Sequence, residues 1–400
     1  MESLKQRGHE IAQNLDETVD VVFLSTCAVT NEAERKSRQM ISKIKKQCPN
    51  AKIMVCGCAS QHNPQNFDGK DGVFSIVGSS GKEWLLDMLD QKVCYVLDAP
   101  YDYEEMESPK KHKTRSYLKI QDGCNNYCSY CLIPYLRGRS RSRNLESIVV
   151  EAYNMAKSSK EIVITGIDVS SWGEDLNCDI ISLVESLKTI RARIRFSSME
   201  AKIITKDFLT ALKNMPNFCP HFHLSMQSGA NQTLKDMNRK YTKEEFLNKV
   251  DMIYEAFPNC AITTDLIVGF PTETEEDFLE TLETIKKARF ADIHIFPYSK
   301  RNGTAAARFK VLDGDVVKNR VERATKLKNE LHANYLQNQI GLYHEVLLEQ
   351  EEFQKLVGHS ENFCKVYVDK GGLQPNDMVA VKIVGTFEDG LLGEVLQKCE

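Results

Sequence analysis

Between residues 116 and 296 the chain alternates short apolar strands with helical stretches six times. The strand candidates are 116–120, 161–165, 194–197, 221–225, 261–267 and 292–296. The helical stretches between them centre near residues 150, 184, 208, 248 and 282. Repeated strand–helix units call for a parallel sheet with helices outside. Six such units are too few to close an eight-stranded barrel. The expected architecture is an open, partial (β/α)6 barrel that carries its ligands at the carboxyl ends of the strands.

The loop after the first strand holds Cys124, Cys128 and Cys131, in the run Cys-Asn-Asn-Tyr-Cys-Ser-Tyr-Cys. Three thiolates in one loop can hold three irons of a [4Fe-4S] cube and leave the fourth iron open. A structural zinc site asks for four ligands in two separated pairs. A bacterial ferredoxin uses Cys-x2-Cys-x2-Cys with a distant fourth cysteine. Neither spacing matches.

With its flanks, Tyr117-Leu-Lys-Ile-Gln-Asp-Gly before and Ile133-Pro-Tyr-Leu-Arg-Gly-Arg-Ser-Arg-Ser-Arg after, the loop resembles that of radical S-adenosylmethionine (SAM) methylthiotransferases. The resemblance implies that the open iron chelates SAM, whose cleavage gives a 5′-deoxyadenosyl radical. Sulfur and then a methyl group would enter at a C–H bond. The runs Asp292-Ile-His-Ile-Phe-Pro-Tyr-Ser, Gly303-Thr-Ala-Ala and Cys219-Pro-His-Phe-His-Leu are most similar to the bacterial tRNA enzymes that methylthiolate C2 of N6-threonylcarbamoyladenosine. Sister enzymes acting on isopentenyladenosine or on a ribosomal-protein aspartate stay open as alternatives. So does a non-catalytic Fe–S RNA-binding protein. The expected partners are the tRNA anticodon stem-loop and an electron donor such as flavodoxin or ferredoxin. The expected state is a cytoplasmic monomer.

Residues 1–98 read as an N-terminal α/β domain. Its strands are 19–25, 51–56 and 93–97, and its helices are 1–11, 31–46 and 83–90. In the family this is a Rossmann- or flavodoxin-like parallel sheet with a second [4Fe-4S] cluster on three cysteines. Cys27 and Cys58 match two of them. The third belongs to a Gly-Cys-x-x-Asn motif closing a first strand that the sequence does not contain, so the second cluster is expected to be absent or labile. Cys56, inside a strand, reads as core.

A polar linker, Asp98 to Arg115, leads to the core domain at 110–338. There Gly166, Glu200, Gln227 and Asp265 stand at strand ends, and the resemblance makes them candidates for binding SAM. His294 reads as a satisfied core histidine. Arg137, Arg139, Arg141 and Arg143 alternate, so an extended run would line them along one edge for phosphates or a carboxylate. A charged helix over 315–337 adds Lys318, Arg320, Arg323, Lys326 and Lys328.

Residues 339–400 show β-rich runs at 344–348, 363–368 and 378–384, expected as a small antiparallel barrel. Gly358-His-Ser-Glu-Asn-Phe-Cys-Lys-Val resembles the RNA-binding TRAM domain. From Gly341 onward 5 Lys and Arg face 11 Asp and Glu, which disfavours nonspecific phosphate binding there. The net charge of −4 likewise requires any RNA site to be a local basic patch. No run of 18 apolar residues exists, so no membrane span is expected. Thirteen cysteines without an apolar leader point to a reducing compartment and to thiolate chemistry.

Overall fold

The computed structural model describes residues 2–81, 84–98, 102–105 and 114–399. They fall into two units: Met1–Lys110, Asp122–Arg141 and Ser299–Lys310 form the first, and Lys111–Gln121, Ser142–Tyr298 and Val311–Glu400 the second. The expected linker and the boundary at residue 110 lie largely outside the described residues.

The first unit is built on a parallel sheet in the order β1 (Val21–Thr26), β2 (Lys52–Gly57), β3 (Val73–Val77), β4 (Cys94–Tyr95). Helix α1 (Glu2–Gln6) is shorter than the expected 1–11. Gly8 takes φ 85 just beyond it, and the His9 amide closes onto Leu4 O at 3.0 Å. Helix α2 (Asn31–Gln47) begins where Thr30 accepts from the Ala33 amide, with Glu32 and Glu34 in its first turn. Its Ile41 and Ile44 pack with Ile53 and Val55 of β2. Cys56 is buried beside Met54, Val77 and Leu85. The short helix α3 (Cys58–His62) follows β2 directly. The run expected as the third strand is the fourth, reduced to Cys94–Tyr95. The third is Val73–Val77, which enters the sheet from a turn with Gly69 and Gly72 at φ 70 and 83. Helix α4 covers Trp84–Asp87 rather than 83–90, and residue 83 lies outside the described residues.

The second unit begins with β5 (Arg115–Lys119). Two-residue strands β6 (Gln121–Asp122) and β7 (Arg141–Ser142) flank the cysteine loop in sequence, and α5 (Ile133–Arg137) lies within it. Then follow α6 (Leu145–Ala156), β8 (Glu161–Thr165), α7 (Ile180–Leu187), β9 (Arg193–Phe196), β10 (Ser198–Met199), α8 (Lys206–Lys213) and β11 (His221–Gln227). The unit continues through α9 (Asn231–Asp236), α10 (Lys243–Ala256), β12 (Ala261–Val268), α11 (Glu275–Ala288), β13 (Asp292–Pro297) and α12 (Gly314–Gln339). All six expected strands are present within about two residues, the usual fuzziness of element ends. They do not make one uninterrupted sheet. Strands β5-β8-β9 form one parallel set and β10-β11-β12-β13 another. A single bridge, Ile194 to Phe218, joins the edge of β9 to the segment entering β11. The partial barrel is thus split, with β10 taking over beside β11.

Alternation gives these strands two unlike faces. Ile162, Ile164, Phe222, Leu224, Ile262, Leu266 and Ile293 join the helices in the large core. The other face is polar, and it carries Arg115, Glu161, Arg193, Arg195, His221, His223, Thr263 and Asp265.

The C-terminal segment is a closed barrel, ordered β14 (Tyr343–Glu352), β15 (Lys355–Ser360), β16 (Lys365–Val368), β18 (Gly390–Cys399), β17 (Met378–Phe387). All pairings are antiparallel except β16 with β18. An ionic cluster ties it to the amino ends of the parallel strands. Glu161, fully buried, accepts from Arg115 at 2.6 Å, Arg193 at 2.5 Å and Arg195 at 2.9 Å. The same arginines donate to Glu349, to the Glu345 carbonyl and to the Ser360 and Glu361 carbonyls of the barrel. Burial would raise the Glu161 carboxyl, but Arg195, Arg193 and Arg115 hold it far below the usual carboxylate range.

Candidate active site

In the first unit the loop Asp122–Arg141 folds back on itself. The Cys124 amide donates to Gly138 O at 3.1 Å, and the Cys131 amide to Cys128 O at 3.0 Å. Gly123 is required here: its φ is 73, and a Cβ would meet Arg139 O at 1.9 Å. Tyr127 takes φ 48 between the first two cysteines. Its ring meets Tyr135 edge-on at 5.7 Å, and the Arg139 guanidinium lies over it at 5.1 Å. The Ala306 amide anchors Ser129 O at 2.7 Å. Backbone amides are aimed at two of the sulfurs, Asn126 N to Cys124 Sγ and Ile133 N to Cys131 Sγ, both at 3.4 Å. Such donors suit iron-bound thiolates, whose potential they tune.

Among the described residues no three His, Cys, Asp or Glu side chains converge as ligands of one ion. Three soft thiolates in one loop, with backbone amides aimed at two of the sulfurs, are a donor set that suits an iron–sulfur cube.

Cys27 and Cys58 lie in the same unit, one residue beyond the register pair Thr26–Gly57 at the carboxyl ends of β1 and β2. Gly57, at φ 113, allows this approach, since a Cβ would meet Thr26 O at 2.4 Å. Cys27 is exposed and Cys58 buried. Arg137 Nε donates to Cys58 Sγ at 3.2 Å and its Nη1 to Asp122 at 3.2 Å. Burial would lower the Arg137 pKa, but Cys58 and Asp122 raise it.

The arginine run is not an edge of free cations. Arg137 ends α5, and Gly138 at φ 77 breaks the alternation. Arg141 is buried, 3.5 Å from Asp122, and donates to the Arg137 carbonyl at 2.6 Å. Arg143 is buried against Glu151. Only Arg139 of the run is exposed. The basic helix is neutralised only in part, since Lys318 and Lys326 are exposed. Arg320 is buried on Glu273, Arg323 pairs with Glu275, and Lys328 with Asp292.

In the second unit three of the four candidate SAM residues, Gly166, Glu200 and Gln227, lie at strand carboxyl ends, and Asp265 lies within β12. Gly166 follows β8, and a Cβ there would meet Gln121 at 3.1 Å. Glu200 follows β10; its amide donates to Ser170 Oγ at 2.7 Å, and its carboxylate accepts from Arg239 at 2.5 Å. Burial pushes the Glu200 carboxyl up, Arg239 opposes that, and Asp168 adds to it. Gln227 sits at φ 64 on a bulge of β11, its register partner Leu266 being next to Asp265. Asp265 Oδ2 lies 3.4 Å from His223 Nε2. His294 is not a core residue. It is exposed, opposite Asp265 in the β12–β13 register, with its ring 5.6 Å from that of His223. Its neighbours Ile293 and Ile295 supply the apolar packing, so alternation turns His294 to the polar face. Sequence reasoning also missed Arg239, whose partner Glu200 lies 39 positions away.

The Radical SAM superfamily profile matches residues 118–285, and that of the uncharacterized protein family UPF0004 matches residues 1–78. The chain is 37% identical over 405 residues to threonylcarbamoyladenosine tRNA methylthiotransferase MtaB of Bacillus subtilis, covering 95% of this chain and 88% of the relative. It is 37% identical over 416 residues to the tRNA-2-methylthio-N(6)-dimethylallyladenosine synthase of Thermoanaerobacter sp. strain X514, covering 98% of this chain and 88% of that one. Among solved structures, the radical SAM methyltransferase TsrM of Kitasatospora setae, with cobalamin and a [4Fe-4S] cluster bound, aligns at TM-score 0.52. At 13% identity over 69% of this chain and 63% of TsrM, that likeness speaks for the fold alone. The three-cysteine loop, the split partial barrel and these near-full-length relatives agree, and the chain belongs to the radical SAM methylthiotransferase family.

Proposed function

We infer that the protein modifies tRNA by methylthiolating C2 of N6-threonylcarbamoyladenosine. The observation that carries this is the agreement of relatives bearing that name from Bacillus subtilis, Chlamydia pneumoniae and Thermotoga maritima, at 37%, 34% and 33% identity over 95% or more of this chain. The second reading is the dimethylallyladenosine reaction, since identity to relatives of that name is equally high.

A [4Fe-4S] cluster with SAM supplies reductive SAM cleavage and hence hydrogen abstraction from the target carbon. Cys124, Cys128 and Cys131 would hold its irons, and the Asn126 and Ile133 amides would donate to the ligating sulfurs. Cys27 and Cys58 are candidates for the second, sulfur-related cluster. Gly166, Glu200, Gln227 and Asp265 are the candidate SAM contacts. Glycine at 166 lets backbone approach a ligand closely, and Arg239 fixes the Glu200 carboxylate. The anticodon stem-loop is the proposed docking partner, and a reduced flavodoxin or ferredoxin the proposed electron source. A cytoplasmic monomer is the proposed state, and the cysteine content fits a reducing compartment.

Mass spectrometry of tRNA nucleosides from a deletion strain tests the reading. The 2-methylthio derivative of threonylcarbamoyladenosine should disappear while its precursor accumulates. Loss of the 2-methylthio isopentenyl nucleoside instead would establish the second reading.

A further inference from the structure

The two possible substrates differ in one substituent. Threonylcarbamoyl carries a carboxylate, a hydroxyl and ureido N–H groups, whereas isopentenyl is a hydrocarbon. The polar face of β11–β13 contains a cluster suited to the first. His223 Nδ1 lies 2.9 Å from Thr263 Oγ1, and its Nε2 faces Asp265 at 3.4 Å. His294 stands opposite Asp265 on the next strand, exposed, with its ring 5.6 Å from His223. His223 is thus engaged at both ring nitrogens, whereas the exposed His294 presents its imidazole on the polar face. An isopentenyl group covering His294 would take its imidazole out of water without offering a hydrogen bond. Nothing in the core demands these residues, because the apolar packing runs through the alternate positions Phe222, Leu224, Leu266 and Ile293.

We propose that His294 is the specificity-determining residue that reads the polar substituent on the target adenine. Its imidazole N–H donates to the carboxylate, and His223, held at both ring nitrogens by Thr263 and Asp265, is a positioning residue beside it. This rests on the threonylcarbamoyl reading above and adds the residue that enforces it.

The test uses the full-length, cluster-reconstituted protein and three synthetic anticodon stem-loop RNAs. One carries N6-threonylcarbamoyladenosine, one N6-isopentenyladenosine and one plain adenosine. Affinity is read by fluorescence anisotropy. The native protein should bind the threonylcarbamoyl RNA at least about tenfold more tightly than either other RNA, since a polar site discriminates strongly against partners lacking its hydrogen bonds. His294→Leu should bring that preference to within about twofold, and His294→Gln, which keeps an N–H donor, should retain most of it. His223→Leu should weaken the preference as well, and circular dichroism of each variant reports whether it has folded. A folded His294→Leu protein with its preference intact would overturn the assignment while leaving the substrate reading in place. A native protein that prefers the isopentenyl RNA would overturn both.

Discussion

Arg137 Nε lies 3.2 Å from Cys58 Sγ, so the residue that ends the helix after the cysteine loop is bonded to a cysteine at the end of β2. The same guanidinium faces Asp122, which is buried. One arginine thus fastens the start of the loop, its exit and the N-terminal sheet. Replacing it strips a buried carboxylate of a cation, Arg141 being another. Arg137→Ala should destabilise the protein by about 1–3 kcal/mol, the usual cost of stranding a buried polar group. Thermal melting checks this; an unchanged midpoint would show that Arg141 alone suffices.

Gly123 gives a sharper probe of the loop. A side chain there would overlap Arg139 O, and the backbone sits at φ 73. Gly123→Ala should prevent the loop from closing, and reconstituted iron should fall by about four per chain, the content of one cubane. Iron and sulfide assays check it, and full loading would contradict the close approach.

The Glu161 cluster governs the second unit's response to acid. Glu161 lies far below its ordinary 4.5 because three arginines outweigh the cost of burial. Burial works against Glu349 too, yet His359 and Arg115 bring it down to about 2. Carboxyls depressed on folding contribute stability that is present above the unfolded value and lost as pH falls through the folded one. Stability should therefore decline between pH 4.5 and 2. Glu161→Gln should cost about 3–5 kcal/mol at neutral pH, because it leaves buried arginines unpaired. Its acid limb should be flatter than that of the native protein. Urea titrations at several pH values measure both effects.

The arginines divide between RNA and fold. Arg139 is the exposed member of the run, and Arg141 and Arg143 are buried in ion pairs. Arg139→Gln should reduce the salt slope of tRNA binding by at most about one unit. Arg141→Gln should lower thermal stability instead. A large slope change from Arg141→Gln would return that residue to the RNA surface.

Those arginines also show where sequence reading fails. Alternation predicted one charged edge, yet Gly138 breaks the run, and the partners Asp122 and Glu151 are fixed only by the fold. The parallel strands were legible because each is a short β-prone run set between helical stretches, as in Ala261–Val268. Val73–Val77 has the same character but is short and framed by glycine turns, and Gly390–Cys399 carries alternating polar residues on an exposed face. The loop with Cys124, Cys128 and Cys131 stood out from local spacing alone. The Arg239–Glu200 and His223–Asp265 pairs were not, because each joins distant segments.

The central claim is that three loop thiolates drive methylthiolation of a threonylcarbamoyladenosine. The most direct measurement incubates the anaerobically reconstituted protein with SAM, a reductant and tRNA bearing that nucleoside, and follows 5′-deoxyadenosine and the 2-methylthio nucleoside by mass spectrometry. The native protein should form both. The variant with Cys124, Cys128 and Cys131 all changed to Ala should form neither. Undiminished 5′-deoxyadenosine from that variant would contradict the account.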